Sequence, residues 1–263
     1  PRNGTSPLPI ALWGVSKGGE MALAAADRMP WLQAVVAVVA PDVAWAAFGP
    51  GVDGDDVASG WSWRGEDLPF VPYRGMADAL SGIGRGVAPD FPAVHAGGRA
   101  DAPERVADAR IGIRGRMPVL LLAGGKDAIW PSGGMSLAVA TARTSAGLPV
   151  DVHVFAEAGH GLSGDGWVPT TFRGAGGDPA ANAQAQRSAW RETLAFLHRH
   201  VGPGSAPPRS ACLSAERSKL WMAIPAAYRG AAESHRTDCR ARTEQIRRCG
   251  HSLLFNRGII LRR

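Results

Sequence analysis

Residues 14–18 read Gly-Val-Ser-Lys-Gly and constrain the fold more than any other segment of this 263-residue chain. They separate a short apolar run at 10–13, typical of a buried strand, from an alanine-rich stretch at 18–29 that predicts a helix. Where a strand turns directly into a helix, the backbone leaves little room for side chains beside the turn. The spacing therefore predicts a tight turn that exposes Ser16 at the helix N-terminus, with small residues two positions before and after it.

The elements that follow alternate between strand and helix, which is the order of a parallel sheet with helices on both faces. The apolar segments predict strands at 32–39, 118–123 and 150–155, and a helix at 131–146. Asp178 followed by Pro179 predicts the start of a last helix. Four apolar residues of this helix form one predicted stripe: Trp190, Leu194, Leu197 and Val201.

Residues 41–115 interrupt this alternation. Glycine, proline, aspartate and tryptophan dominate there and no long periodic segment is present, so we interpret the region as an insert or lid. Two of its arginines, Arg64 and Arg74, are candidates for binding phosphate, although solvated charge is the usual role of surface arginines. Three tryptophans are candidates either for lining a ligand pocket or for packing within the lid: Trp45, Trp61 and Trp63.

The basic charge of the chain is concentrated at its C-terminal end. Residues 203–263 hold 12 of the 29 Lys and Arg but only 4 of the 23 Asp and Glu, so residues 1–202 are close to neutral. This distribution does not favour nucleic-acid binding by the body of the protein. We expect 1–202 to form one catalytic domain and 203–263 to be a basic tail that is poorly ordered.

The sequence indicates neither a cofactor nor a membrane span. All three cysteines lie after residue 203 and lack the spacing of a metal site, and no apolar run reaches 18 residues. We expect no metal and no organic cofactor, no membrane-spanning segment, and a cytoplasmic location. Oligomeric state leaves no signature in the sequence.

A carboxylate and a histidine follow the last two predicted strands. Asp127 ends the loop Gly-Gly-Lys-Asp after the strand at 118–123, and His160 lies in the loop Ala-Gly-His-Gly after the strand at 150–155. The order Ser16, Asp127, His160 is that of a nucleophile, an acid and a base in α/β-hydrolases. Asp42, just after the second strand, is the alternative acid. The other histidines of this region lie in less suitable places: His95, His153, His198 and His200.

Lys17 follows the candidate nucleophile directly. Its backbone N–H at the start of a helix is a candidate donor to the oxyanion that forms when a serine attacks a carbonyl. Its side chain is a candidate for contacting phosphate, while a role in the geometry of the turn is the simpler interpretation.

Four segments together resemble the acyl-CoA thioesterase and bile-acid-CoA:amino-acid N-acyltransferase family. The segment GVSKGGEMAL at 14–23 resembles the nucleophile turn of that family, and WRGEDLPF at 63–70 resembles its insert. The segment PVLLLAGGKDAIW at 118–130 and the loop at 158–160 are similar to its acid and histidine segments. The resemblance covers about residues 8–202.

The resemblance implies an α/β-hydrolase that cleaves acyl-CoA thioesters, or related carboxylic esters, through an acyl-Ser16 intermediate. It also implies that acyltransferase members have cysteine at the nucleophile position, so a serine favours hydrolysis. The alternatives are a hydrolase of the prolyl-oligopeptidase or dienelactone type, whose turns share the G-x-S-x-G-G pattern, and a non-catalytic module that retains the fold.

The chain departs from the family pattern in what precedes Ser16. Family members have an N-terminal β-sandwich and early sheet strands, and a loop among those strands supplies the second oxyanion donor. Neither feature has a counterpart before residue 10. We therefore expect this chain to be the C-terminal catalytic part of the fold, with the early strands missing.

Overall fold

The computed structural model describes residues 9–48, 58–164 and 174–202, together with the backbone of 259–261. Within these ranges the strands are β1 (Ala11–Val15), β2 (Ala34–Val38), β3 (Ser62–Trp63), β4 (Glu66–Asp67), β5 (Val119–Gly124), β6 (Val150–Phe155) and β7 (Ile259–Leu261). The helices are α1 (Lys17–Ala26), α2 (Met76–Gly84), α3 (Phe91–Asp101), α4 (Pro103–Asp108), α5 (Ser132–Ser145) and α6 (Pro179–Val201).

The main sheet has the strand order β6-β5-β2-β1-β7, and its first four strands are parallel. This confirms the predicted mostly parallel sheet with flanking helices. β7 pairs antiparallel with β1, so this short part of the predicted tail is an edge strand. The rest of the tail lies outside the described residues. Because β1, β2, β5 and β6 are parallel, the loops after them meet at one edge of the sheet.

Two apolar layers cover the sheet, because alternate residues of a strand face opposite sides. One layer packs strand residues such as Leu12, Val35 and Leu121 against α1 and α5. The other packs Val36, Leu122 and their neighbours against α6. None of the described helices is long and apolar enough to cross a bilayer.

The face of α6 that packs on the sheet differs from the predicted stripe. Trp190 and Leu194 are 45% and 50% exposed, so the prediction that they belong to the buried face was wrong. Leu197 and Val201 do pack against the sheet. The buried residues of this face include Asn182, Gln186, Ala189, Thr193 and Phe196. Hydrogen bonding explains the polar members, since the Thr193 hydroxyl donates to the Ala189 carbonyl and the Gln186 amide to the Gly161 carbonyl.

The insert between β2 and β5 holds more regular structure than its sequence predicts. It contains the hairpin of β3 and β4 and the three helices α2, α3 and α4. The buried positions of α3 are Val94, His95 and Gly98. Two of these three are not the large apolar residues whose regular spacing predicts a helix, so no pattern in the sequence indicated α3. The insert has a separate apolar core, which includes Trp45 and Tyr73 and extends to Trp130 after β5.

Two buried charges hold the segment 112–117 that leads into β5. The Asp27 carboxylate, at the end of α1, accepts hydrogen bonds from the N–H groups of Gly112, Arg114 and Gly115. From the other side the Arg143 guanidinium donates to the carbonyls of Gly112, Met117 and Pro149. Arg143 is fully buried, and burial lowers its pKa to about 10.

We expect Arg143→Met to lower the free energy of unfolding by about 3 kcal/mol or more, because three buried carbonyls lose a charged donor. Urea denaturation measures this change. Arg191→Met is the matched control: Arg191 is exposed and contacts only the Ser188 hydroxyl, at 3.2 Å, among the hydrogen bonds described. Equal stability of the two variants would contradict the role of Arg143.

Candidate active site

Ser16 lies at the predicted turn between β1 and α1 in a strained backbone conformation. Its φ and ψ are 56° and −124°, which few residues other than glycine adopt. The Ser16 N–H donates to the Val38 carbonyl at 2.9 Å, and the Ser16 carbonyl accepts from the Glu20 N–H at 2.9 Å. These bonds fix the turn to β2 and to the first turn of α1, so the serine side chain stands at the carboxyl edge of the sheet.

The sequence predicted that the turn requires small residues at both Gly14 and Gly18. The structure confirms this for Gly14 but not for Gly18. A Cβ at Gly14 would lie 2.0 Å from the Gly18 carbonyl oxygen, which no side chain can accommodate. A Cβ at Gly18 would meet no heavy atom of the described residues within 4 Å. Gly19 is the second tight position, because its Cβ would lie 2.9 Å from the Cβ of Ala40. The close approach therefore requires glycine at 14 and 19.

Asp127 lies in the loop after β5 and is held there by the backbone that follows it. Its Oδ1 accepts hydrogen bonds from the N–H groups of Ile129 at 2.9 Å and Trp130 at 3.3 Å. Its side chain is fully buried. The second carboxylate oxygen remains available for another donor, and this oxygen faces the loop after β6.

His160 connects the other two residues of the predicted site. Its Nδ1 lies 2.9 Å from Asp127 Oδ2, and its Nε2 lies 2.8 Å from Ser16 Oγ. The imidazole side chain is 14% exposed, so one part of it reaches solvent. The structure thus brings together three residues that are 111 and 33 positions apart in the chain, in the order predicted from the sequence.

A segment that the sequence analysis missed joins the acid loop to the histidine loop. The Ala175 carbonyl accepts hydrogen bonds from the N–H groups of Ala128 and His160. Gly176 has a φ of 75°, and a Cβ there would lie 1.9 Å from the Lys126 carbonyl oxygen. Asn182 completes the junction, since its Oδ1 accepts from the Gly159 N–H at 2.8 Å. The glycine pair directly before the Asp178 cap was the available sequence signal.

Trp130 is a second residue that the sequence analysis missed. Its ring packs edge-on against the His160 ring at 5.2 Å, and its indole N–H donates to the Val39 carbonyl at 2.9 Å. Val39 has a φ of 43°, an unfavourable conformation for a β-branched residue. The indole therefore supports both the histidine and the strained backbone at the end of β2.

The Lys17 side chain turns away from solvent and pairs with Glu20. Its Nζ lies 2.8 Å from Glu20 Oε1, and the Glu20 carboxylate is fully buried. Burial raises the pKa of Glu20 and lowers that of Lys17, while each charge opposes the shift of the other. Because its charge is compensated internally, the Lys17 ammonium fits the geometric role better than the phosphate-binding role.

The alternative acid and the other histidines have different partners. Asp42 forms an ion pair with Arg99, so it is not the carboxylate that faces His160. His95 is buried among the rings of Trp45 and Trp130. Three histidines lie on β6 and α6, away from the junction of the loops: His153, His198 and His200.

The candidate substrate-binding residues of the insert mostly have structural partners. Trp45 is fully buried and stacks on Tyr73, so it packs within the insert. The Arg74 guanidinium is paired with Asp101 at 2.6 and 2.7 Å. Arg64 lies over the Trp63 ring. The described residues contain no group of three or more metal-ligating side chains that could hold an ion.

The segment that carries the acid and the histidine matches a known family. Residues 110–203 match the family model described as BAAT / Acyl-CoA thioester hydrolase C terminal. The resemblance to that family is confirmed over this segment. The match includes Asp127 and His160 and ends at residue 203, where the tail begins, while Ser16 and most of the insert precede it. It supports a hydrolase, and among curated proteins none matches the sequence significantly.

Solved structures with some similarity include two acylaminoacyl peptidases. One, in complex with a chloromethyl ketone, is 14% identical with a TM-score of 0.45, covering 77% of this chain and 25% of the peptidase. The other, from Pyrococcus horikoshii, is 17% identical with a TM-score of 0.40, covering 76% and 25%. A protein described as a dienelactone hydrolase from Klebsiella pneumoniae subsp. pneumoniae is 18% identical with a TM-score of 0.39, covering 75% and 55%. At such TM-scores these likenesses say nothing about substrate.

We expect His95 to make the protein sensitive to acid. Burial lowers the His95 pKa to about 4. Between pH 6.5 and 4, His95 is therefore protonated in the unfolded chain but mostly neutral in the folded chain. The free energy of unfolding therefore falls as the pH drops through this range, by roughly 2 to 3 kcal/mol from this residue at pH 4.5. In His95→Phe, urea denaturation at pH 7 and 4.5 should show that much less acid destabilisation. Identical pH dependence in the two proteins would refute the assignment.

Proposed function

We propose that this protein is a serine hydrolase that cleaves acyl-CoA thioesters or related carboxylic esters. The observation that carries the proposal is the chain of hydrogen bonds from Ser16 Oγ through the His160 ring to Asp127 Oδ2, at 2.8 and 2.9 Å. The match of residues 110–203 to a thioester hydrolase family supports the same chemistry.

In the first half of the reaction, Ser16 Oγ attacks the acyl carbonyl and His160 Nε2 takes the hydroxyl proton. The negative charge that develops on the carbonyl oxygen is stabilised by the Lys17 N–H, which has no intrahelical acceptor because Lys17 is the first residue of α1. Asp127 accepts the Nδ1–H of His160 and stabilises the imidazolium. The bond to the leaving group then breaks, and His160 returns the proton to that group.

In the second half, His160 takes a proton from a water molecule, and the resulting hydroxide attacks the acyl carbon of the acyl-Ser16 ester. The bond from that carbon to Ser16 Oγ then breaks, His160 returns the proton to Oγ, and the carboxylic acid leaves. A thioester substrate suits these two steps, since its sulfur is a good leaving group in the first and the serine ester is hydrolysed by activated water in the second. The 14% exposure of the His160 side chain is consistent with access for that water.

The first test is labelling of Ser16 with a fluorophosphonate. The serine oxygen displaces fluoride from phosphorus, and only a serine activated by a base reacts readily. We expect wild-type protein to be labelled and Ser16→Ala to be unlabelled, while circular dichroism shows both folded. Labelling that persists in Ser16→Ala would refute Ser16 as the nucleophile. Absence of labelling in folded wild-type protein would favour the non-catalytic module.

The same preparations then separate the bond types. Turnover of palmitoyl-CoA, a simple aryl ester and a dipeptide anilide should be fastest for the thioester, and a preference for the anilide would indicate the peptidase alternative. Thioester cleavage is best followed by the loss of ultraviolet absorbance of the thioester bond, because disulfide reagents detect any thiol and the chain contains three cysteines of its own. Ser16→Ala measured in parallel defines the uncatalysed background.

We expect Asp127→Asn to lower kcat by roughly 10⁴-fold, because an amide cannot stabilise the imidazolium and favours the wrong tautomer of His160. Steady-state kinetics on the best substrate measures the loss. Asp42→Asn is the matched control, because Asp42 pairs with Arg99 instead of His160. If Asp42→Asn were the inactive variant, the roles of the two carboxylates would have to be exchanged.

A further inference from the structure

The Glu20 carboxylate gathers three donors from three separate parts of the chain. Its Oε1 accepts from the Lys17 ammonium at 2.8 Å, from the Trp45 backbone N–H at 2.9 Å and from the Trp61 indole N–H at 2.7 Å. The side chain is fully buried, and the second oxygen, Oε2, has no hydrogen-bond partner among the described residues. All three contacts therefore fall on one oxygen atom. Because a buried charge is costly unless it is paired, these contacts are what make the buried carboxylate tolerable.

Residues of the insert also surround the Lys17 ammonium. The Nζ atom lies 5.6 Å from the centre of the Trp61 ring and 5.9 Å from that of Phe48. A Cβ at Gly60 would lie 2.9 Å from Nζ and 2.8 Å from the Trp45 carbonyl oxygen. The ammonium therefore lies between the insert and α1, and its side chain is only 17% exposed.

These contacts restrain Lys17, the residue that follows the candidate nucleophile. Glu20 lies one helical turn after Ser16, and its N–H donates to the Ser16 carbonyl at 2.9 Å. The Lys17 backbone is thus held between two fixed points, the strained turn at Ser16 and the anchored ammonium of its own side chain. A hydrogen-bond donor that stabilises a transition state must be held within a fraction of an ångström.

We propose that Glu20 is a positioning residue through which the insert fixes the Lys17 N–H as the oxyanion donor. The proposal rests on the proposed hydrolase function. It assigns the Lys17–Glu20 pair a role that an ordinary buried ion pair lacks, because its loss should slow the chemistry at Ser16 beyond what loss of stability explains. It also makes the first part of the insert, near Trp45 and Trp61, a fixed support of the site.

The test measures the rate of Ser16 phosphonylation, and kcat with KM, in Glu20→Gln and Trp61→Phe. In Glu20→Gln, Oε1 remains an acceptor but the ammonium loses its counter-charge, and in Trp61→Phe one donor is lost. We expect Glu20→Gln to lower the labelling rate and kcat on the order of 10- to 100-fold with little change in KM. Trp61→Phe should lower both less. Unchanged labelling in a folded Glu20→Gln protein would overturn the proposal.

Asp27→Asn provides the matched control at the other end of α1. Asp27 is also fully buried and its carboxylate also accepts three hydrogen bonds, but its donors lie in the segment 112–115. We expect Asp27→Asn to lower Tm comparably to Glu20→Gln while labelling at nearly the wild-type rate, provided that both are assayed well below their Tm. Equal slowing in both variants would mean that stability alone controls the rate.

The double variant Lys17→Met/Glu20→Gln separates positioning from charge balance. It removes the unpaired ammonium, so Tm should recover most of the loss seen in Glu20→Gln. Labelling should stay slow, because the methionine side chain lacks the anchor. Recovery of both Tm and rate would reduce the pair to a structural role and overturn the proposal. Failure of wild-type protein itself to label would instead refute the proposed function.

Discussion

The close approach of the end of β1 to the start of α1 is the constraint on which the candidate site depends. The backbone reverses so tightly here that Ser16 has a positive φ and a Cβ on Gly14 would lie 2.0 Å from the Gly18 carbonyl oxygen. This strained turn is stable only because its surroundings over-determine it: the Ser16 N–H bonds to β2, and the first turn of α1 bonds back to the Ser16 carbonyl. The position of the hydroxyl thus depends both on these hydrogen bonds and on the absence of a side chain at Gly14.

The fold and the meeting of the three candidate residues were predictable because parallel strands impose strong local rules. A buried strand is a continuous apolar run, and the loop after each parallel strand must reach the same edge of the sheet. The segments after β1, β5 and β6 carry Ser16, Asp127 and His160, so the sequence already indicated that these three side chains would lie at one edge of the sheet. The strand at 150–155 was predicted with its observed limits, and Asp178 caps α6 as expected.

What the sequence could not reveal depends on contacts between distant segments. The insert packs through aromatic rings and buried polar groups, which leave no period in the chain, so its helices were missed. The buried face of α6 uses Gln186 and Thr193, whose polarity hides their position until their hydrogen-bond acceptors are known. Trp130 resembles an ordinary loop residue and Glu20 an ordinary helix residue. Only the folded chain shows that Trp130 packs on His160 and that Glu20 pairs with Lys17.

The junction at residues 175–177 has a consequence for how this protein can tolerate change. The acid loop and the histidine loop both hydrogen-bond to the Ala175 carbonyl. Both loops also lie so close to Gly176 and Gly177 that neither glycine has room for a side chain. Inserting or deleting a residue in either loop would therefore shift the register of the other. Length variation is expected to concentrate elsewhere, above all on the exposed side of the insert around α2.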